Sequence, residues 1–335
     1  IWRLTWRGVL CLVAIFAILL TISSIYQAIA SSNEVTKSVP PGQLVDVGGY
    51  KLHLNCTGQG SPTIVLDAGL GESSLSWSKV QPEAAKFTRV CSYDRAGYAW
   101  SEISPSPRTS EQIVNELHTL LKNADVKPPY VLAGHSFGGF NVRLFAARYP
   151  DETAGLVLVD SSHEDQFERL PPSFRASGAI NFLMKSVPWL TRLGILRILD
   201  QPAGNVKNYA PEVQPLARSI GFKSKAHDAA AAEFQSLLES AAQVKAIKMP
   251  NGSLLLGDKP LTVLMQGQQK QVPPQATADE IEEFKKLWRV LQEDLATRSS
   301  RGDLIVAEKS GHYILLEEPN LVIDALRRAC EFTNK

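Results

Sequence analysis

The residues best placed to do chemistry lie in one run, Gly134-His135-Ser136-Phe137-Gly138. A serine hydroxyl attacks a carbonyl carbon well only when a base takes its proton and its oxygen stands clear of the backbone. The apolar β-run Tyr130-Val131-Leu132-Ala133 leads into this turn, and a helical stretch at 140–149, stopped by Pro150, leaves it. Strand, sharp turn and helix make a G-x-S-x-G nucleophile elbow. Glycine on either side removes side chains that would collide in such a turn. The helix start behind Ser136 offers free N–H groups to a developing oxyanion. The chemistry this suggests is acyl transfer. Of six histidines, His53, His118, His163 and His227 read as surface or core residues. His135 is the elbow's own variable position and should point away from Ser136. His312 follows the last strand in a Ser310-Gly311-His312 turn.

The elements that must position these residues alternate along the chain. Residues 44–47 and 50–56, with Gly48-Gly49 between, read as a β-hairpin. Strands are expected at 63–67, 89–93, 130–133, 155–160, 261–265 and 303–307. Helices are expected at 110–121, with Ser110 as N-cap, and at 281–298 and 319–330. Alternating buried strands and helices imply a mostly parallel sheet covered on both faces. The 335 residues are 44% hydrophobic, enough for one sizeable core at 44–160 and 256–335. Their net charge of +1 gives no electrostatic reason to expect nucleic acid. No zinc-spaced cluster or cofactor motif is present, so no metal or organic cofactor is expected.

Two segments stand apart. No charge occurs from Gly8 through Asn33, and 9–20 is unbroken apolar sequence. About 20 such residues span a ~30 Å hydrocarbon layer. Arg3 and Arg7 precede the run, Glu34 and Lys37 follow it, and Trp2 and Trp6 suit an interface. Residues 1–30 therefore read as a membrane anchor with the N-terminus cytoplasmic and the body outside. The alternatives are a signal peptide cleaved near Ala30, after Ala28-Ile29-Ala30, or a buried soluble helix. Residues 31–43, with Pro40-Pro41, read as a tether. Residues 161–255 are too long for a loop. They read as an inserted helical lid, with Pro188 breaking an apolar run at 180–199 into two short helices and a second helical region near 226–247.

Four stretches together carry a resemblance: Ala68-Gly69-Leu70-Gly71 after the third strand, Tyr93-Asp94-Arg95-Ala96-Gly97 after the fourth, the elbow at Ser136, and Ser310-Gly311-His312 after the last strand. The chain resembles the α/β-hydrolase superfamily over about 44–332, on the lipase, esterase and peptidase side. Dehalogenase and epoxide-hydrolase branches place aspartate where this chain has Ser136. The resemblance implies an eight-stranded sheet with the last seven or so strands parallel, and His312 as the base. It implies an oxyanion hole from the backbone N–H groups of Phe137 and Leu70. Ala68 stands where the family usually has histidine, but backbone does that work. Asp94-Arg95 reads as an internal ion pair bracing its loop.

The acid is the open position. Most of the superfamily places it after strand seven, but here Gln266-Gly267-Gln268-Gln269-Lys270 holds no carboxylate. Asp279 and Glu280 begin a helix beyond Pro273-Pro274. Asp303 enters its strand at the wrong end. Asp160 closes strand six at the carboxyl edge of the sheet, where sites form in open α/β folds, and some members carry the acid there. In many others an aspartate at this place only braces the loop. Elimination points to Asp160, with Asp165, a later acid or none as alternatives. The resemblance also makes the strands of Cys56 and Cys91 sheet neighbours. The pair could be a disulfide, suited to an oxidising compartment, or two buried thiols.

These expectations describe a membrane-anchored serine hydrolase acting on a carboxylic ester, with an amide also open. An apolar lid and a membrane anchor favour a small hydrophobic ester over a peptide. The alternative is a non-catalytic ligand-binding or receptor protein on the same fold.

Overall fold

The computed structural model describes residues 2–37, 39–247 and 254–333. Residue 38 of the expected tether and 248–253 of the expected insertion lie outside these described residues, as do the side chains of Trp2, Arg3 and Lys37. The elements in chain order are α1 (Trp2–Lys37), β1 (Gln43–Asp46), β2 (Lys51–Thr57), β3 (Thr63–Asp67), β4 (Val90–Tyr93), α2 (Ser110–Asn123), β5 (Tyr130–His135), α3 (Gly138–Arg148) and β6 (Thr153–Val159). Next come α4 (Gly178–Arg192), α5 (Gln214–Gly221), α6 (Ser224–Gln235), α7 (Leu237–Lys245), β7 (Leu261–Gln266), α8 (Ala278–Ala296), β8 (Gly302–Ala307) and α9 (Pro319–Thr333), with shorter helical turns between.

The strands form one eight-stranded sheet in the order β1-β2-β4-β3-β5-β6-β7-β8. β2 pairs antiparallel with both β1 and β4, and every other pairing is parallel. Seven strands thus share one direction. The reversed strand is β2, because the Gly48-Gly49 hairpin turns the chain back beside β1. Strands β3 to β6 are buried along their whole length, which is why they read as continuous apolar runs. One face packs Ile113, Leu117, Phe140 and Phe145. The other packs Trp77, Ile314, Val322 and Leu326.

Cys56 and Cys91 face each other in the β2–β4 register and are joined as a disulfide. The N-cap of α2 is Thr109, one residue before the expected Ser110: the Thr109 hydroxyl accepts from the Gln112 N–H, and the Ser110 N–H donates instead to Ser240 Oγ.

Two expectations about the outer segments are corrected. Residues 31–37 of the expected tether are helical, because α1 continues through Lys37. Its last turns are held by the insertion: Gln27 Nε2 donates to the Phe222 carbonyl at 2.7 Å, and Arg197 reaches Glu34 at 2.6 and 2.9 Å. Pro188 does not split the apolar run either. It lies inside α4, where the Thr191 and Ser186 hydroxyls bond the carbonyls of Val187 and Phe182. The break falls at Gly194, whose φ of +76° and close approach to Ser23 leave no room for a Cβ.

Candidate active site

Each side of the site is fixed by a backbone constraint. Ser136 has φ +49°, a left-handed conformation rare for a residue with a Cβ. Its N–H donates to the Val159 carbonyl and its own carbonyl accepts from Ser162, so β6 and the following loop hold the turn. A Cβ on Gly134 would sit 2.6 Å from the Gly138 carbonyl oxygen, and one on Gly138 would sit 2.6 Å from that of Asp67. The two elbow glycines therefore let β5 meet α3 and let the end of β3 press against the start of α3. Ser136 is half-buried, within reach of a small ligand.

His312 is brought from the loop after β8. Its Nδ1 lies 2.6 Å from Asp160 Oδ2. Asp160 is fully buried and has φ +41°. Its other oxygen accepts from the Gln266 N–H and the Trp288 indole N–H, both at 2.9 Å. Asp165 pairs with Lys245 on the insertion, and Asp303 pairs with Arg328.

Arg95 organises the loop after β3. All five of its N–H groups are used: on Glu233 at 2.7 and 3.0 Å, on Asp67 at 2.7 Å, and on the carbonyls of Ala68 and Gly69 at 2.6 and 2.8 Å. Burial works against its charge, but Glu233 and Asp67 outweigh burial and hold Arg95 firmly protonated. A trans peptide sends its N–H opposite to its carbonyl. With the Gly69 carbonyl drawn onto Arg95, the Leu70 N–H points the other way. Among the described residues, neither the Leu70 nor the Phe137 N–H bonds a backbone carbonyl. The expected Asp94–Arg95 ion pair does not form. Asp94 instead meets His53 at 2.7 Å and accepts the Ser74 N–H. The loop is braced as expected, by different partners.

His135 sits under the site. Its ring lies 3.1 Å from Glu72 Oε2 and 3.0 Å from the His312 carbonyl oxygen. The same Glu72 oxygen accepts the Gly69 N–H. Burial opposes charge on both members of this pair, yet their mutual attraction raises His135 and lowers Glu72. The sequence reading missed Glu72, Glu233, Gln266 and Trp288. The available signal for Glu233 was a single acid closing the run Ala229-Ala230-Ala231-Ala232. Glu72 and Trp288 had none. Of the other histidines, His118 meets Glu152, His163 meets Asp294, and His227 meets the Gly221 carbonyl. No cluster able to hold a metal ion occurs among the described residues.

The family model described as alpha/beta hydrolase fold matches residues 62–319. A Gibberella zeae protein named as an AB hydrolase superfamily protein is 26% identical, over 80% of this chain and 85% of its own. A Hormonema carpetanum protein named as a probable transporter, efuK, is 25% identical over 86% of this chain. The chain spans 42% of the Hormonema protein's length, and 43% and 56% of two Bacillus subtilis relatives. A solved thermophilic esterase from Thermogutta terrifontis superposes with a TM-score of 0.59 at 21% identity, over 88% of this chain and 99% of its own. That likeness is one of fold.

Proposed function

The chain belongs to the α/β-hydrolase fold family, and we propose that it is a serine hydrolase cleaving a carboxylic ester through an acyl-serine intermediate. The observation that carries this reading is the contact of His312 Nδ1 with the buried Asp160 carboxylate, together with a serine in left-handed backbone at the head of α3 whose neighbour His135 meets the His312 carbonyl.

In this reading Ser136 Oγ attacks the ester carbonyl carbon while His312 Nε2 takes its proton. The oxyanion that forms lies against the N–H groups of Leu70 and Phe137. The intermediate collapses, and His312 returns the proton to the departing alcohol. Water then attacks the acyl-serine with His312 again as base, releasing the acid and restoring Ser136. Asp160 keeps the proton on Nδ1, so that Nε2 can accept, and stabilises the imidazolium.

The insertion is the lid of this site in the same proposal, tied to it through Glu233. Exposed Phe182, Leu183 and Trp189 on α4 favour a hydrophobic ester. α1 is the membrane anchor. Its stretch Trp6–Glu34 is long and apolar enough to cross a bilayer, and its large apolar side chains face outward. Retention of this segment is favoured over cleavage near Ala30, because removal would strip Gln27 from the Phe222 carbonyl and from Arg197.

A fluorophosphonate probe tests the reading. Wild-type protein should be labelled at Ser136 and should turn over esters in a chain-length panel. Ser136→Ala should take no label and lose on the order of 10⁴-fold or more in kcat, with an unchanged melting curve. Near-wild-type turnover in Ser136→Ala would end this proposal.

A further inference from the structure

A cleft of about 700 Å³ lies where the outer end of α1 meets the body, within the range of small-ligand sites. It is lined by Ser24, Gln27 and Ser31 of α1, by the apolar Leu44 and Trp100, and by three cations, Arg192, Lys223 and Lys225, of which Arg192 is paired with Asp228. No carboxylate lines it. Lys223 and Lys225 are both partly withdrawn from water, and neither makes a salt bridge among the described residues. Each nearby acid is engaged elsewhere: Glu34 with Arg197, Asp94 with His53, and Glu102 with the Lys51 N–H. Burial holds Lys223 below the ordinary lysine range. Burial, then repulsion from Lys223, brings Lys225 down to about 8. The Lys225 ammonium has only a carbonyl partner, Ser101, at 2.7 Å. The start of α6 opens between the two lysines with no side-chain cap, which adds uncapped N–H groups beside them.

Two partly desolvated like charges with no carboxylate in direct contact are costly in isolation and favourable around an anion. The depth of the cleft selects which anion. From Gly8, about 20 residues at 1.5 Å each cross the hydrocarbon layer, which puts Gln27 at the outer headgroup level. We propose that this cleft binds one anionic phospholipid, with its phosphate between Lys223 and Lys225 and its glycerol end against Trp100 and Leu44. This rests on the reading of α1 as a membrane span. The bound lipid would seat the body at a fixed height against the bilayer.

The test uses the full chain, purified in detergent and stripped of lipid. Native mass spectrometry follows titration with phosphatidylglycerol, phosphatidylcholine and inorganic phosphate. One phosphatidylglycerol should bind, at least tenfold tighter than phosphatidylcholine. The pair Lys223→Gln and Lys225→Gln should lose at least tenfold in that affinity, while the exposed pair Lys86→Gln and Lys285→Gln should lose none. Labelling of Ser136 by the fluorophosphonate in each variant reports that the body is folded. Equal binding of inorganic phosphate would overturn the lipid assignment. Unchanged lipid binding in the Lys223/Lys225 variant, with Ser136 still labelled, would overturn the site. Alkaline carbonate extraction separates the two readings: a chain released from membranes refutes the span and the lipid together, whereas an embedded chain that binds no lipid refutes the lipid alone.

Discussion

Asp160 accepts from three groups, the His312 ring, the Gln266 N–H and the Trp288 indole, and this decides what a conservative change there would do. Asparagine tolerates a positive φ, so Asp160→Asn should keep the strained backbone. Its amide oxygen can serve Gln266 and Trp288. Its NH₂ then faces His312 Nδ1, which must become an acceptor, and the proton moves to Nε2. A histidine in that tautomer cannot take a proton from Ser136. We expect Asp160→Asn to fold with a near-wild-type melting temperature and to lose about 10⁴-fold in kcat. Wild-type kcat in this variant would remove Asp160 from the mechanism. Legibility at this scale followed the chain. Ser136 was visible because its constraints are neighbours in sequence, and Asp160 because the sheet edge narrows the choice. Trp288 and Glu72 were not, because their partners lie 128 and 63 residues away and only the folded sheet brings them together.

Between elements, two cross-links carry distinct expectations. The first joins α6 of the insertion to the loops after β3 and β4, through Glu233, Arg95 and Tyr98. Glu233→Gln removes one of the two carboxylates that hold Arg95, while Asp67 keeps the guanidinium paired. Breaking one partner of a buried pair costs up to about 3–5 kcal/mol. The surviving amide contacts place the expected loss nearer ~2 kcal/mol. The insertion should become more sensitive to limited proteolysis, and kcat should fall because the Ala68 and Gly69 carbonyls share the same guanidinium. Unchanged proteolysis and kcat would mean the tie does not position the loop. The second cross-link is Cys56–Cys91, at a sequence separation of 35. Closing a loop of that length stabilises by about 3–4 kcal/mol in the chain-entropy account. The double change Cys56→Ser and Cys91→Ser should lower the urea midpoint accordingly and leave ester turnover intact, since β3 separates the β2–β4 pair from β5, the strand that leads into Ser136. The sequence also supplied the break in the insertion's apolar run, but at Gly194 and not at Pro188. Pro188 stays inside α4 at the loss of one backbone hydrogen bond. A glycine marks the place where another segment, here Ser23 of α1, comes too near for a side chain.

The whole molecule joins an apolar helix to a hydrolase body, and its polarity is testable. Arg7 precedes the uncharged stretch that starts at Gly8, and the positive-inside rule keeps that end in the cytoplasm. In the proposed topology the body would lie outside, where its disulfide is compatible with an oxidising compartment, whereas a cytosolic body would keep its thiols reduced. In that topology the contacts of Ser23, Gln27 and Glu34 with the insertion would hold the body close to the outer surface. We therefore expect protease added to intact spheroplasts of the native host to digest the body while a cytoplasmic marker survives. Alkylation of non-reduced protein from the same cells should leave Cys56 and Cys91 unmodified. Cys330, buried and held in the thiol form by burial, with its pKa pushed up to about 12, should react only after denaturation. A body protected from protease, with Cys56 and Cys91 both free, would reverse the topology. It would also place the ester substrate on the cytoplasmic face, because α1 is held to the insertion and the insertion to Arg95.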